Sequence, residues 1–270
     1  MRLVRVLAFL PLLAGAVVSL SGCLGSGARP VSGDRAAIAE TEYDLARDIW
    51  LRKRDPREAL DHALKAADLD PHNADATHLV ALLYLDFCSR KGELCRLDEA
   101  EKYARQTLKT APDYREARNT LGVVLIHRQQ YAEAVEVLRP LTTDMLYSTP
   151  ENAWGNLGWA YLEMGQIREA IDALERSVAA QPLFCVGNYR LGLAYEQAKD
   201  LPQAAEALSR AIETDDPGCR RLQVAYAARG RVLAALGDPA GAKADFERCV
   251  EIDHRSSTGQ ECGSMLPKLK

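Results

Sequence analysis

The chain has 270 residues, of which 47% are hydrophobic and 27% charged, and its formal net charge is −4. An acidic chain without a basic stripe has nothing to neutralise phosphates, which argues against nucleic acid as a partner. Few aromatics and much Ala suit packed helices.

Residues 1–22 read as a targeting segment outside the fold. Arg2 and Arg5 form a charged start, and Leu7 to Val18 is an apolar run too short to span a bilayer. The segment carries those two arginines and no acid, so its removal takes the charge to −6. Leu20-Ser21-Gly22-Cys23 follows, and these four residues resemble the bacterial lipobox. The resemblance implies cleavage before Cys23 and acylation of its thiol. Each buried acyl methylene then adds ~0.8 kcal/mol of membrane affinity. Leu24 stands where Asp would be the exception, which in enterobacterial lipoproteins implies the outer membrane, on its periplasmic face. Residues 24–35 are rich in Gly, Ser and Pro with no apolar period. Residues 23–39 therefore read as the lipidated cysteine and a flexible tether.

From residue 40 onward one pattern recurs. From Glu40 it is Tyr43, Ala46, Trp50, Ala59, Ala63, Ala66 and Pro71. From Ala74 it is Thr77, Val80, Ala81 and Tyr84, then Ala100, Ala104 and Pro112 after a seven-residue insertion. From Arg115 it is Leu121, Gly122, Leu125, Ala134 and Leu138. From Glu151 it is Trp154, Leu157, Gly158, Tyr161, Ala170, Leu174 and Pro182. From Cys185 it is Leu191, Gly192, Tyr195, Ala204, Leu208 and Ala211. From Gln223 it is Tyr226, Gly230, Leu233, Ala242 and Phe246. The first residues of each set share one helix face, and the later ones form an i, i+4 pair on a second helix. Small residues such as Gly158 and Ala170 let the two helices cross closely. Gly165 ends a first helix and Pro182 lies just past a second. A hairpin of this size cannot bury its apolar face alone, so the units must stack. This 34-residue pattern is that of the tetratricopeptide repeat. The resemblance implies an all-α, right-handed superhelical solenoid of six hairpins over residues 40–256.

Local features refine that frame. Pro140 falls inside the second helix of repeat three and should end or kink it. Pro56, Pro202 and Pro239 suit first turns of second helices. Residues 257–270 are a mainly polar tail that packs as a cap or hangs free.

Export places six further cysteines in an oxidising compartment: Cys88, Cys95, Cys185, Cys219, Cys249 and Cys262. Cys88 and Cys95 bracket the insertion, and a bridge closing eight residues contributes ~2.5 kcal/mol. The spacings 185–219 and 249–262 are the first choice for the other four, and 219–249 is the alternative. No pair of Cys or His shows zinc spacing, so no metal is expected.

No catalytic constellation is visible. The five histidines are scattered, and the carboxylates lie beside Arg and Lys as on solvated helix faces. The reading is a binding protein that is not an enzyme and has no cofactor. In this repeat family the first helices line the concave side, through positions 2, 5, 9, 12 and 13. Those positions hold Leu82, Leu85, Val123, Ile126, Trp159, Leu162, Val186, Tyr189, Leu193 and Val224. They exceed what hairpin packing needs and read as an apolar groove for an amphipathic helix, centred on Trp159. The acidic-peptide clamp of some chaperone adaptors needs Lys, Arg and Asn along this face. Asn119, Asn152 and Arg231 are isolated examples, so that mode is not expected.

A lipobox, a short tether and six such repeats resemble the pilotin lipoproteins of type IV pilus secretins, the PilF, PilW and Tgl group. Six repeats and extra cysteines bring the chain nearest to the Tgl form. The resemblance covers Cys23 to about Arg255. It implies an outer-membrane lipoprotein that binds the secretin, promotes its ring assembly and supports pilus-dependent motility. The alternative is a lipoprotein adaptor in outer-membrane β-barrel assembly or for peptidoglycan enzymes.

Overall fold

In each repeat, apolar residues three and four apart wind into two antiparallel helices. The structure, a computed structural model, describes residues 32–89 and 95–269. The first helices are α1 (Ser32–Asp48), α3 (Ala74–Ser89), α5 (Arg115–His127), α7 (Pro150–Glu163), α9 (Cys185–Ala198) and α11 (Gln223–Ala235). Their partners are α2 (Pro56–Leu69), α4 (Leu97–Thr110), α6 (Tyr131–Leu138), α8 (Ile167–Ala180), α10 (Leu201–Ile212) and α12 (Pro239–Ile252). A last helix, α13 (Ser257–Met265), follows. The lipobox, Cys23 and the start of the tether lie outside the described residues. The rest of the tether assignment changes: α1 opens at Ser32, so residues 32–39 are helical and lengthen the first helix of repeat one.

The register of the six units is written in their turns. Position 15 of repeats one, three, four, five and six is Arg54, Gln129, Gly165, Lys199 and Gly237, and all five have φ between 61° and 83°. A left-handed residue is needed there to reverse the chain between the two helices. Gly adopts it without cost, whereas the three larger residues give up ~1–2 kcal/mol each. Asp55, Asp200 and Asp238 then cap the second helices, accepting backbone N–H bonds from the first turn. Proline in those first turns costs no hydrogen bond.

The close crossing of the paired helices is equally regular. A Cβ on Gly122, Gly158, Gly192 or Gly230 would lie 2.4–2.7 Å from Leu138, Leu174, Leu208 or Phe246. The bulky residue of the second helix thus fills the space the glycine leaves. In repeat two, Ala81 and Ala104 are both small, and both are buried. One core cluster runs from Ala81 through Leu121, Leu125, Leu138 and Leu141 to Leu157, so each hairpin's apolar face is completed by its neighbours.

Pro140 ends α6 after Leu138, and the chain continues as a 3-10 turn, Arg139–Thr143. The C-terminal tail is a cap. Ser256 accepts from the Gly259 N–H and opens α13. Met265, Leu266 and Leu269 then pack against Phe246, Cys249 and Cys262. Gln223 of α11 donates to the carbonyls of Cys249 at 2.7 Å and Asp253 at 2.8 Å at the end of α12, and its Oε1 accepts from the Ser256 hydroxyl at 2.7 Å, which ties the cap to the last hairpin.

Candidate functional site

Successive first helices touch one another along the whole array, α1 to α3 and onward to α9 and α11. The second helices make no comparable contact with each other. Helices that converge lie on the inside of a curve, so the first helices form the concave face. The residues they turn inward are therefore the candidate site.

Leu82, Leu85, Val123, Trp159, Val186, Tyr189, Leu193 and Val224 are half-buried on these helices. Ile126 and Leu162 are not groove residues. They are 2% and 5% exposed and belong to the core. In repeats three and four position 12 turns under the next hairpin, whereas at the same position of repeat two Leu85 stays half-buried. The strongly exposed apolar side chains lie elsewhere, with Met145, Leu146 and Leu183 in turns between repeats. The inner face is thus narrower and more polar than an open apolar strip.

Its centre is Trp159. The His127 ring meets it edge-on at 5.1 Å, from the repeat before. The Arg190 guanidinium lies over it at 4.3 Å, from the repeat after. The indole N–H donates to Glu163 Oε1 at 3.0 Å. One Arg190 nitrogen, Nη1, donates to the Gly155 carbonyl at 3.1 Å and to Asn156 Oδ1 at 2.9 Å. The Asn156 amide in turn donates to Asn119 Oδ1 at 2.9 Å. Three repeats are therefore joined by one chain of polar and aromatic contacts. Burial lowers Arg190 to about 10, against the weaker pull of Tyr189 and Glu163. His127 is also lowered, by desolvation and then by the Arg190 charge. Trp154, on the same helix, is half-buried away from this centre, with Arg176 over its ring at 5.1 Å.

Asn156 and Arg190 were not among the residues the sequence singled out. They occupy position 6 of consecutive repeats, outside positions 2, 5, 9, 12 and 13. A polar residue at the same position of two neighbouring units was the available signal.

Away from this face, the structure joins Cys88 to Cys95, Cys185 to Cys219 and Cys249 to Cys262. The second bridge links the starts of repeats five and six across a Cα separation of 5.7 Å. Among the described residues, no three His, Cys, Asp or Glu side chains gather as a metal site.

The family description tetratricopeptide repeat matches residues 93–141 and 156–218 in one form and 224–254 in another, together just over half of the chain. The chain is similar to the type IV pilus assembly protein PilF of Pseudomonas aeruginosa, with 29% identity over 171 residues. That match covers 60% of this chain and 62% of PilF. It is also 31% identical over 160 residues to a probable UDP-N-acetylglucosamine–peptide N-acetylglucosaminyltransferase, SPINDLY, of Hordeum vulgare. There the match covers 54% of this chain but 15% of the enzyme. Among solved structures, PilW, a widely conserved type IV pilus biogenesis factor, superposes with a TM-score of 0.68 at 24% identity, covering 83% of this chain and 97% of PilW. Pseudomonas aeruginosa PilF gives 0.66 at 17% identity, covering 85% and 98%. Both likenesses show the shared fold. Matched repeats, their common turn register and these neighbours agree: the chain belongs to the tetratricopeptide repeat proteins and is similar to PilF and PilW.

Proposed function

We propose that this protein is a lipid-anchored scaffold of type IV pilus assembly. Acylated Cys23 holds it on the periplasmic face of the outer membrane, and the concave face receives a helical segment of the pilus secretin. Binding there promotes assembly of the secretin ring. The observation that carries the reading is the run of inner side chains centred on Trp159, from α5, α7 and α9. A half-buried aromatic among partly apolar neighbours suits the apolar stripe of an amphipathic helix. The similarity to a type IV pilus assembly protein supports the choice of partner, and the lipobox supports the anchor. The SPINDLY match covers so little of that enzyme that it supports only the repeats.

The test is a pull-down of the secretin with the lipidated protein, wild type against Trp159→Ala. Anchoring aromatics often cost more than about 2 kcal/mol when truncated, roughly a 30-fold loss of affinity. Recovery should fall accordingly while the helical circular dichroism at 25 °C is kept. Equal recovery of secretin by both proteins would remove the groove from the mechanism. Loss of the helical signal would make Trp159 a core residue. Cys23→Ala should release the protein from the outer-membrane fraction, and a variant that stays there, acylated, sinks the anchor.

A further inference from the structure

Among the described residues, the three most exposed large apolar side chains are Met145 at 98%, Leu146 at 76% and Leu183 at 66%. All three stand in turns between repeats, and those turns are held in shape. Asp144 accepts from the Leu146 N–H at 2.9 Å and pairs with Arg115 at 2.7 Å, while Tyr147 is buried. The chain is thus tied down on both sides of Met145 and Leu146, which point outward. In the next such turn Phe184 is half-buried and donates its N–H to the Gln181 carbonyl at 3.0 Å, leaving Leu183 at the tip. The corresponding turns of repeats one and two carry His72 and Asp113 where this one carries Leu183. The turn before α11 carries Asp215, Asp216 and Arg220. From 142 to 149 and from 181 to 184 the only charged residue is Asp144, already paired. The turns leading into the neighbouring helices α7 and α9 are therefore apolar where the others are polar. Exposed apolar side chains gathered in this way mark a contact surface.

Their place in the fold says what they face. The hairpins are antiparallel, so every first helix begins, and every second helix ends, at the edge that carries these turns. Helix α1 begins at that edge too, and its projecting start bears Ile38, 44% exposed. Residues 23–31 join it to the acylated Cys23 of the reading above and reach at most about 30 Å. The first helices pack in the order α1, α3, α5, α7 at steps of about 8–10 Å, so both turns lie within that reach of the anchor. We propose that Met145, Leu146 and Leu183 rest in the headgroup and acyl boundary of the bilayer that holds the anchor. The proposal rests on the acylation of Cys23 and adds a second lipid contact to it. Contact at the edge leaves the concave face free for a partner. With no unpaired charge in either turn, a zwitterionic phospholipid surface fits, and salt does not screen the contact.

The experiment reads methionine methyl resonances. Met1 lies in the targeting segment, which leaves Met145, Met164 and Met265. Met164 follows the end of α7 at the opposite edge, 37% exposed, and serves as the internal control. The lipidated protein, with methyl-labelled methionine, is placed in phosphatidylcholine nanodiscs that carry doxyl-labelled lipid. The Met145 methyl should broaden and the Met164 methyl should not, equally at low and high salt. A soluble gadolinium chelate should give the reverse order. Leu146→Ser with Leu183→Ser should sharpen the Met145 signal in doxyl lipid; both side chains are exposed, so melts should match wild type. A Met145 methyl untouched by doxyl lipid and open to the chelate means that the edge faces water. One shielded from both means that a second copy covers it. Either result overturns the proposal and leaves the anchor standing. If mass spectrometry finds no acyl chain on Cys23, the anchor falls by itself. The edge is then read by sedimentation of the unacylated protein with phosphatidylcholine vesicles at millimolar lipid. Leu183→Ser should weaken that partition about 10-fold, the lower end for burying a leucine. Partition that the change leaves equal, or no partition at all, ends the proposal.

Discussion

His78 on α3 should make the solenoid lose stability in acid. Its ring is 8% exposed and sits between the first helices of repeats two and three. The Thr120 hydroxyl gives its proton to the Glu116 carbonyl at 2.9 Å. Nε2–H of His78 is therefore the donor in the 3.0 Å contact with Thr120 Oγ1. Tyr114 stacks at a tilt 5.0 Å away and donates to Asp75 at 2.5 Å, so Asp75 is the charged group nearby. Burial lowers His78 from 6.5 to about 4, with Asp75 opposing weakly. The unfolded chain takes up this proton near 6.5 and the folded chain only near 4. Stability is thus complete above 6.5 and is lost as pH falls from there towards 4. At 1.36 kcal/mol per pH unit, the loss reaches about 3 kcal/mol by pH 4. Urea unfolding by circular dichroism, with the disulfides intact, measures it between pH 7.5 and 4. Glu42 and Asp144 are lowered by their hydrogen bonds and shed stability in the same direction, but they do so in any His78 variant. The difference between wild type and His78→Gln isolates the imidazole. Wild type should lose about 3 kcal/mol more across the window, and parallel curves would refute the assignment.

Three further perturbations test the packing. Gly158→Ala puts a methyl 2.5 Å from Leu174 Cγ and 3.2 Å from the Ala170 carbonyl, so thermal melts should show it destabilised. Overpacking of about 1–3 kcal/mol outweighs the ~1 kcal/mol gained in helix propensity. Gly263→Ala on α13, whose nearest neighbour is Val250 at 3.9 Å, should be neutral or raise the melting temperature. A stabilised Gly158→Ala beside a destabilised Gly263→Ala would contradict the close crossing. The Cys185→Ser, Cys219→Ser double variant opens a loop of 34 residues. Chain entropy puts the cost at about 4 kcal/mol, read by denaturant unfolding, and an unchanged midpoint would show that repeats five and six hold each other without the bridge.

The fold was legible because a repeat states its rules several times. The starts at 74, 115, 185 and 223 coincide with the first residues of α3, α5, α9 and α11, and the start at 151 falls one residue inside α7. The turn was harder to see. Glycine marks the left-handed position in repeats four and six, but Arg54, Gln129 and Lys199 carry no such mark. Only the shared register, set by tertiary packing, forces those residues into a conformation they resist. Residues 32–39 failed as tether for a similar reason. Their composition lacks an apolar period, yet Ile38 and Ala39 extend a helix that repeat one already nucleates, and elongation is easier than initiation.

The binding face was less legible, because it belongs to no single helix. Periodicity separates the inside of a hairpin from its outside, and by that rule Ile126 and Leu162 look like surplus apolar residues. The neighbouring hairpin covers them, and that depends on how the units stack. Arg190 shows the converse. Read alone, it is an arginine on a helix, the kind usually dismissed as solvated. Its role comes from what α7 places beside it: the Gly155 carbonyl, the Asn156 amide and the Trp159 ring. Asn156 in turn depends on Asn119 of α5. A change in the angle between repeats moves all three partners of the guanidinium together. The charge at the centre of the groove and the angle between repeats four and five therefore rest on the same contacts.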